Sequence, residues 1–184
     1  MSFLRVNLIL ILSLLTICFR THHAIAKDAG DDLQSQVKSA YIFKFANYIT
    51  WPEKSFADLL SPVVIGVVDD EVIATELEKI AGSYTAANRT VLIRRLTSKQ
   101  VSPEVHILYL NATSTAYLEF YQKMLHHPST LYITDTVEGL NLGGVINFVR
   151  DDNRIRFDVS LPAAEKNKIK LDGSLLTVAR NVLK

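Results

Sequence analysis

Cysteine is almost absent from this chain of 184 residues, and its single cysteine, Cys18, lies in an apolar segment near the N-terminus. A chain with one cysteine cannot form an internal disulfide, so its stability must come from packing. Neither sign of charge is in excess, with 20 Lys and Arg against 19 Asp and Glu. Because nucleic-acid-binding proteins usually carry a basic face, the composition argues against a nucleic-acid partner.

Residues 1–26 have the pattern of a secretory signal peptide. Ala24-Ile25-Ala26 has the small-x-small pattern of a cleavage site. The apolar run before it is about 14 residues long, short of the roughly 20 that span a bilayer. We expect cleavage after Ala26, export to the periplasm and a mature domain of residues 27–184. An uncleaved membrane anchor and lipoprotein processing at Cys18 are the alternatives.

The stretch Val37–Pro52 is predicted to be an amphipathic helix on which the rest of the domain packs. Its apolar residues at three- and four-residue spacing are Tyr41, Phe45, Tyr48 and Ile49. On a helix this spacing gathers the side chains on one side. Asp31 and Asp32 are candidate N-caps, and Trp51-Pro52 ends the helix because the residue before proline avoids the α region. Structural roles are assigned to Tyr41, Phe45, Trp51 and Pro52.

The middle of the chain alternates between strands and helices. Strands are predicted at Pro62–Val68, Thr90–Leu96, Val105–Leu110 and Thr130–Thr134. Helical spacing is present at Val72–Ile80, with Asp70 as the expected cap, and at Thr113–His126, where Tyr117, Phe120, Tyr121 and Leu125 would share a side. This alternation favours a largely parallel sheet covered by helices.

The last third of the chain has an antiparallel pattern. Gly143-Gly144 form a tight turn before an apolar run, Asp151–Asn153 form a second turn, and Arg154–Leu161 alternates with period two, which predicts a β-hairpin with Phe157 facing the core. A closing helix is predicted at Ser174–Leu183. The fold class is therefore α/β: a single domain with a mostly parallel mixed sheet covered by helices, a C-terminal β-hairpin and a closing helix.

No catalytic constellation can be identified. Asp69-Asp70 resembles the Mg²⁺-binding acidic pair of receiver domains, but Asn111 follows the third strand where a phosphorylatable aspartate is required. His126 and His127 are adjacent and lack the i, i+4 spacing of a zinc-binding pair. His106 lies in an apolar run, where a hydrogen-bonded core histidine is expected. We predict no enzymatic activity, no cofactor and no metal site.

One polar set is a candidate recognition surface. It comprises Asn147, Arg154, Arg156, Asp158 and Arg180. Arg156 and Asp158 lie two residues apart on one strand face, near enough to pair, and arginine presents a planar donor fork to carboxylates and phosphates. A solvated face with a surface ion pair worth about 0–1 kcal/mol is the alternative. These five residues are the tentative partner- or ligand-binding residues.

Four ordered motifs resemble those of the YfiR-like (DUF4154) exported proteins. They are YITWP at 48–52, GGVINF at 143–148, RIRFDV at 154–159 and LLTVAR at 175–180. The resemblance covers nearly all of residues 27–184. It implies a periplasmic protein that binds and inhibits the periplasmic sensor domain of a membrane-bound diguanylate cyclase, lowering cyclic-di-GMP signalling. It also implies release by an outer-membrane lipoprotein.

The resemblance leaves other points open. Well-known members of the family carry cysteines that pair, whereas residues 27–184 contain none, so redox control is not expected to apply here. A homodimer is compatible with the prediction. The alternative function is a periplasmic small-ligand-binding sensor module that acts with another membrane signalling protein. Such a module would gain thermal stability with a small molecule, whereas an inhibitor would bind one receptor domain.

Overall fold

A computed structural model of the chain describes residues 32–98, 105–119, 122, 129–152 and 154–184. The chain divides into residues 1–35 and a second unit, residues 36–184. The description below concerns the second unit and, of the first, only the helical residues 32–35. The predicted signal peptide, its cleavage site and Asp31 lie outside the described residues. Within the described ranges, no helix is both long and apolar enough to cross a membrane.

The first helix ends earlier than its spacing predicts. Residues 32–45 are helical (α1), and a 3-10 turn at Ala46–Tyr48 leads into a two-residue strand, β1, at Ile49–Thr50. The predicted end of the helix at Trp51-Pro52 is wrong because β1 pairs antiparallel with β8, Lys170–Leu171, a partner far along the chain. Tyr48 is consequently 38% exposed rather than part of the buried side.

Four aromatic rings join α1 to the C-terminal hairpin. Phe45 is 1% exposed, and its ring centroid lies 5.0 Å from that of Phe157 and 6.1 Å from that of Phe148. Tyr41 lies 5.6 Å from Phe157, edge to face. Offset and edge-to-face aromatic pairs stabilise a fold beyond the area that they bury. The helix is therefore held on the sheet mainly by this cluster.

The described residues form a seven-stranded mixed sheet. Its strands are β2 (Val63–Val68), β3 (Val91–Leu96), β4 (Ile107–Leu110), β5 (Leu131–Thr134), β6 (Ile146–Asp151), β7 (Arg154–Ser160) and β9 (Asn181–Leu183). Their order is β3-β2-β4-β5-β6-β7-β9. The first five run parallel, β7 is antiparallel to β6, and β9 is parallel to β7. The predicted α/β fold class with a mostly parallel mixed sheet is confirmed.

The central strands β2, β4 and β5 are almost entirely apolar, as expected for a sheet that is covered on both faces. All four residues of β4 are buried. Ile107 and Tyr109 belong to the larger core cluster, which includes Phe45, whereas Leu108 and Leu110 belong to a smaller cluster. Since successive strand residues point to opposite faces, the two clusters lie on the two sides of the sheet.

Helix α2, Glu71–Ala81, agrees with its predicted position. Asp70 caps it, accepting a hydrogen bond of 3.1 Å from the backbone N–H of Ile73. Ile73 and Leu77 are buried, as the helical spacing predicts. The cap satisfies one of the free N–H groups of the first turn, which accounts for an acidic residue directly before α2.

The prediction for residues 113–126 is only partly testable. The structure has a 3-10 turn at Ser114–Tyr117, and residues 118, 119 and 122 are helical. Tyr117 is 40% exposed, against its predicted place on the packed side. Phe120, Tyr121, Leu125, His126 and His127 lie outside the described residues.

The C-terminal third contains the predicted hairpin and a shorter closing helix. Leu161 does not continue the strand but starts helix α3, Leu161–Lys166, whose cap is Ser160. The closing helix, α4, spans Gly173–Val178, and the chain then ends in β9. The predicted continuation of the helix to Leu183 is wrong because the backbone becomes extended at Ala179 and pairs with β7.

Candidate functional site

A groove at one edge of the sheet gathers three of the five predicted recognition residues. Asn147, Asp158 and Arg180 line a cavity of about 740 Å³, together with apolar residues such as Val137 and Leu140. The groove lies beside Asp135, directly after β5. In parallel sheets the carboxyl ends of strands are the usual place for ligand contacts. Position and shape therefore make this groove the candidate site.

Arg180 and Asp158 form the ion pair of the groove. Arg180 donates from Nε to Oδ1 of Asp158 at 2.8 Å and from Nη2 to Oδ2 at 2.5 Å. Hydrogen bonding to Asp158 raises the pKa of Arg180. The Asp158 side chain is 10% exposed, whereas that of Arg180 is 43% exposed. The carboxylate thus holds one edge of a guanidinium whose remaining N–H groups can face a partner.

The sequence suggested Arg156, not Arg180, as the partner of Asp158. The pairing with Arg180 depends on β9, since the backbone N–H of Arg180 donates to the carbonyl of Phe157 at 2.8 Å. Arg156 is half-buried and Arg154 is exposed, and neither lines the groove. The hairpin therefore divides the predicted set: three residues lie at the groove, and two arginines lie nearer the hairpin turn.

Asn147 has an internal role at the base of the groove. Its Oδ1 accepts hydrogen bonds from Thr134 Oγ1 at 2.8 Å and from the backbone N–H of Thr136 at 3.2 Å. Asn147 is 3% exposed and lies opposite Asp158 in the β6–β7 register. Its carbonyl oxygen is thus used to hold the segment after β5 against β6.

Three glycines allow the loop before β6 to close over this network. A Cβ on Gly139 would overlap Thr134 Oγ1 and Asn147 Oδ1, and one on Gly144 would lie 2.7 Å from Thr134 Oγ1. Gly143 has φ +103°, a conformation that side chains disfavour. The glycines serve a tight turn before a strand, as predicted, and do not open a helix as a phosphate loop would.

A second polar cluster, beside the groove, was not predicted from the sequence. Lys38 of α1 forms an ion pair with Asp135, with Nζ 2.5 Å from Oδ2, and the hydroxyl of Tyr109 donates to the same oxygen at 3.3 Å. Burial, followed by the charge of Asp135, raises the pKa of Tyr109. The available signal was an aspartate directly after a buried parallel strand, but its lysine lies 97 residues away.

The receiver-like carboxylates have structural partners. Asp69 accepts a hydrogen bond from the backbone N–H of Ser98 at 3.0 Å, and Asn111 donates to the Asp69 carbonyl at 3.1 Å. Asp70 caps α2, as described above. Among the described residues, no group of three or more His, Cys, Asp and Glu side chains could hold a metal ion.

His106 is a hydrogen-bonded core residue, as predicted. Its Nδ1 accepts from the backbone N–H of Val64 at 3.0 Å, and its Nε2 lies 2.8 Å from the carbonyl oxygen of Ser55. Trp51 is 9% exposed and packs edge to face on the His106 ring. Pro52 directly precedes the 3-10 turn Glu53–Ser55. The Trp51-Pro52 pair therefore begins a segment that is held to the core by the contact between Ser55 and His106.

Comparisons with known proteins identify one family. A family model described as DUF4154, YfiR/HmsC-like, matches residues 35–180. No curated protein matches the chain. The solved structures that match include a conserved domain protein from Vibrio cholerae O1 biovar El Tor str. N16961, with 12% identity and a TM-score of 0.50. The match covers 65% of this chain and 54% of that one, and at this identity it shows similarity of fold alone.

Proposed function

Since this chain belongs to the YfiR/HmsC-like family, we propose that it binds the periplasmic domain of a membrane-bound diguanylate cyclase and inhibits that enzyme. The family is one of periplasmic, non-catalytic regulators in cyclic-di-GMP signalling. The observation that carries the proposal is the family match over residues 35–180, which includes all four sequence motifs and the groove residues Asn147, Asp158 and Arg180. An outer-membrane lipoprotein is the proposed releasing partner.

The inhibitor would act by changing the population of cyclase conformations. A bound protein can shift an equilibrium only as far as its affinities for the two states differ. The groove offers a basis for such a difference: apolar side chains at Val137 and Leu140 and one guanidinium held in place by Asp158. We therefore propose Arg180 as the central polar contact, because a guanidinium group that is already oriented loses little conformational freedom when it binds a carboxylate.

Export is required by this proposal. The target domain lies outside the cytoplasmic membrane, and the signal peptide at residues 1–26 supplies the route. A version that lacks residues 1–26 would stay in the cytoplasm and leave the cyclase unrestrained. This version is therefore the control that separates inhibition in the periplasm from any effect inside the cell.

The test measures cyclic-di-GMP in a deletion strain. Deletion is expected to raise the nucleotide level and surface attachment, and the exported wild-type chain should reverse both. Unchanged nucleotide levels on deletion would reject the inhibitor role. Full complementation by the version without residues 1–26 would reject the requirement for the periplasm.

The groove is tested by a variant that removes both charges of the Arg180–Asp158 ion pair, so that neither is left unpaired. Arg180→Glu would place a second negative charge beside the buried Asp158, so its effect on folding could not be separated from its effect on binding. The double variant Arg180→Gln/Asp158→Asn removes both charges and keeps hydrogen-bonding groups at both positions. We expect this variant to fold and fail to lower cyclic-di-GMP. Full complementation by it would remove the groove from the interface.

Two arginines outside the groove provide comparison variants: Arg154 is the control, and Arg156 tests how far the interface extends. Arg154→Gln changes the exposed residue beside the hairpin turn and should complement fully. Arg156→Glu decides whether the interface extends along the hairpin: lost inhibition by a folded Arg156→Glu protein would extend it, and full complementation would limit it to the groove.

A small-ligand sensor is the second candidate function, and the volume of the groove favours it. Small-molecule sites typically measure about 300–1,000 Å³, a range that contains the volume of about 740 Å³ found here. Thermal unfolding of the purified protein with nucleotides, amino acids and aromatic metabolites tests this function. A rise in melting temperature that the Arg180→Gln/Asp158→Asn variant loses would support a ligand in the groove, whereas no rise with any compound would count against it.

A further inference from the structure

A second cavity lies at the end of the sheet opposite the groove with Arg180. It measures about 360 Å³ and is lined by residues around the amino ends of β2, β3 and β4, among them Val64, Leu92 and His106. It is called here the amino-end cavity. The groove with Arg180 lies beside Asp135, at the carboxyl end of the parallel strand β5, and no described residue lines both. The two sites can therefore be occupied at the same time.

The backbone of Ser55 is held in place at the amino-end cavity. Its N–H donates to the carbonyl oxygen of Pro52 at 2.9 Å, and its own carbonyl oxygen lies 2.8 Å from Nε2 of His106. Since Nδ1 of His106 accepts from the backbone N–H of Val64, Nε2 carries the ring proton and donates to the Ser55 carbonyl. These bonds fix the main chain of Ser55 and leave only its side chain to adapt.

The hydroxyl of Ser55 has no hydrogen-bond partner among the described residues, although Ser55 is only 7% exposed and lines the cavity. Buried hydroxyl groups are nearly always hydrogen-bonded, because an unpaired one has lost its hydration without compensation. A serine side chain turns about a single torsion, and this hydroxyl has no bond to lose by turning towards an acceptor in the cavity. The unpaired hydroxyl is the observation that points to a ligand.

The charged side chains that line the amino-end cavity are cationic. Lys54 is exposed and forms no ion pair with another described residue, and Arg94 adds a half-buried guanidinium. Glu53 and Asp58, the acidic residues closest in sequence, are not among the described residues that line the cavity. Asp58 accepts hydrogen bonds within its own turn, where Arg89 donates to its carbonyl oxygen. The lining therefore favours an anion as the bound group.

The apolar part of the lining comes mainly from aliphatic residues, namely Ala57, Pro62, Val64 and Leu92. Phe56 also lines the cavity, but both faces of its ring are occupied. The guanidinium carbon of Arg89 lies 3.9 Å from the ring centroid on one face, and the His106 ring stacks at 4.3 Å on the other. An aromatic ligand therefore has no free face of Phe56 on which to stack, whereas an aliphatic chain gains dispersion contacts with the lining.

We propose that the amino-end cavity binds a small aliphatic carboxylate, with its carboxylate group at Lys54 and Ser55 and its chain against Pro62 and Leu92. A carboxylate oxygen accepts from the Ser55 hydroxyl and interacts with the Lys54 ammonium, so one ligand group satisfies both side chains. The volume of about 360 Å³ lies at the lower end of the range of about 300–1,000 Å³ typical of small-molecule sites, which limits the ligand to a short chain. This site is separate from the proposed inhibitor role and from a ligand in the groove with Arg180.

Fluorescence of Trp51, the single tryptophan, reports occupation of the amino-end cavity in the purified exported protein. Its ring lies 5.9 Å from that of Phe56 and 6.0 Å from that of His106, and both of these residues line the cavity. Hexanoate is the probe, and hexylamine, which has the same number of carbon atoms and the opposite charge, is the control compound. We expect a saturable change with hexanoate and none with hexylamine. The absence of a saturable change with hexanoate, or equal binding of hexylamine, overturns the proposal.

Ser55→Ala tests the hydroxyl while keeping the backbone bonds of this residue. It should weaken hexanoate binding about tenfold, since a hydrogen bond to a charged group is lost. The melting temperature without hexanoate should equal or exceed that of wild type, because the variant no longer buries an unpaired hydroxyl. A hydroxyl with only a structural role would give a lower melting temperature and an unchanged affinity for hexanoate, and that result overturns the proposal.

Lys54→Gln tests the cation without disturbing a packed side chain. It should weaken hexanoate binding about two- to fivefold, as expected for the loss of an exposed ion pair, and leave the melting temperature unchanged. Lys44→Gln is the matched control, because Lys44 is an exposed lysine of α1 that does not line the cavity, and it should bind as wild type does. Equal affinities of all three proteins for hexanoate overturn the proposal. So does loss of the hexanoate response in Arg180→Gln/Asp158→Asn, since the carboxylate would then lie in the groove with Arg180.

Discussion

Replacing Phe45 by alanine removes the ring at the centre of the aromatic cluster. Phe45 is 1% exposed, and its ring contacts those of Tyr41, Phe148 and Phe157 at centroid distances of 5.9, 6.1 and 5.0 Å. These partners come from α1, β6 and β7, so the cavity would open between the helix and the sheet. A buried Phe→Ala change costs about 3–5 kcal/mol.

That cost is a large share of a typical domain's total stability of about 5–15 kcal/mol. For a domain of this size each 1 kcal/mol shifts the melting temperature by about 2–4 °C, so Phe45→Ala should melt about 6–20 °C below wild type. The chain has one tryptophan, Trp51, which is 9% exposed and packs on His106. Its fluorescence therefore reports unfolding by urea and by heat.

The matched control is Tyr48→Ala, three residues along the same stretch. Tyr48 is 38% exposed, so its loss should change the free energy of unfolding by about 0.5 kcal/mol, as for other surface positions. If Phe45→Ala melted with wild type while binding to the cyclase domain was lost, α1 would present Phe45 to a partner and the packing argument would be refuted.

Three other changes have expected outcomes. Gly139→Ala should lower the melting temperature strongly because its methyl group would overlap the Thr134 and Asn147 oxygens, whereas Gly173→Ala, which meets no atom within 4 Å, should leave it unchanged. Arg180→Gln alone should lower the free energy of unfolding in urea, since it leaves the Asp158 carboxylate without its charged partner, and adding Asp158→Asn should restore part of the loss. N-terminal sequencing of the periplasmic form should begin at Lys27, and a protein retained in the membrane with Met1 intact would contradict export by cleavage.

Structural features that depend on residues close together in the chain could be predicted from the sequence. The run Val63–Val68 predicts a strand covered on both faces, and the structure buries every residue of β2. Asp70 caps the helix that starts at the next residue, and the turn before Arg154 joins two antiparallel strands. In each case the deciding interaction spans a few residues, so spacing and side-chain type are sufficient to predict it.

The family was also accessible, because its motifs are ordered stretches of sequence. The four motifs at residues 48–52, 143–148, 154–159 and 175–180 indicated the YfiR-like family, and the family model confirms it over residues 35–180. The candidate site was accessible only in part. Asn147, Asp158 and Arg180 do line one groove, but their partners and their exposure followed from contacts that spacing does not contain.

The tertiary structure alone decided where elements end and which charges meet. The helix of residues 32–45 ends early because β1 pairs with β8, and the chain ends in β9 because it pairs with β7. Lys38 meets Asp135 across 97 positions, and Arg180 meets Asp158 across 22. A strand of two or three residues has too few positions for a hydrophobic period, and a carboxylate pairs with whichever cation the fold brings within reach. Distant backbone pairing brought these groups together, and no local pattern in the chain encodes it.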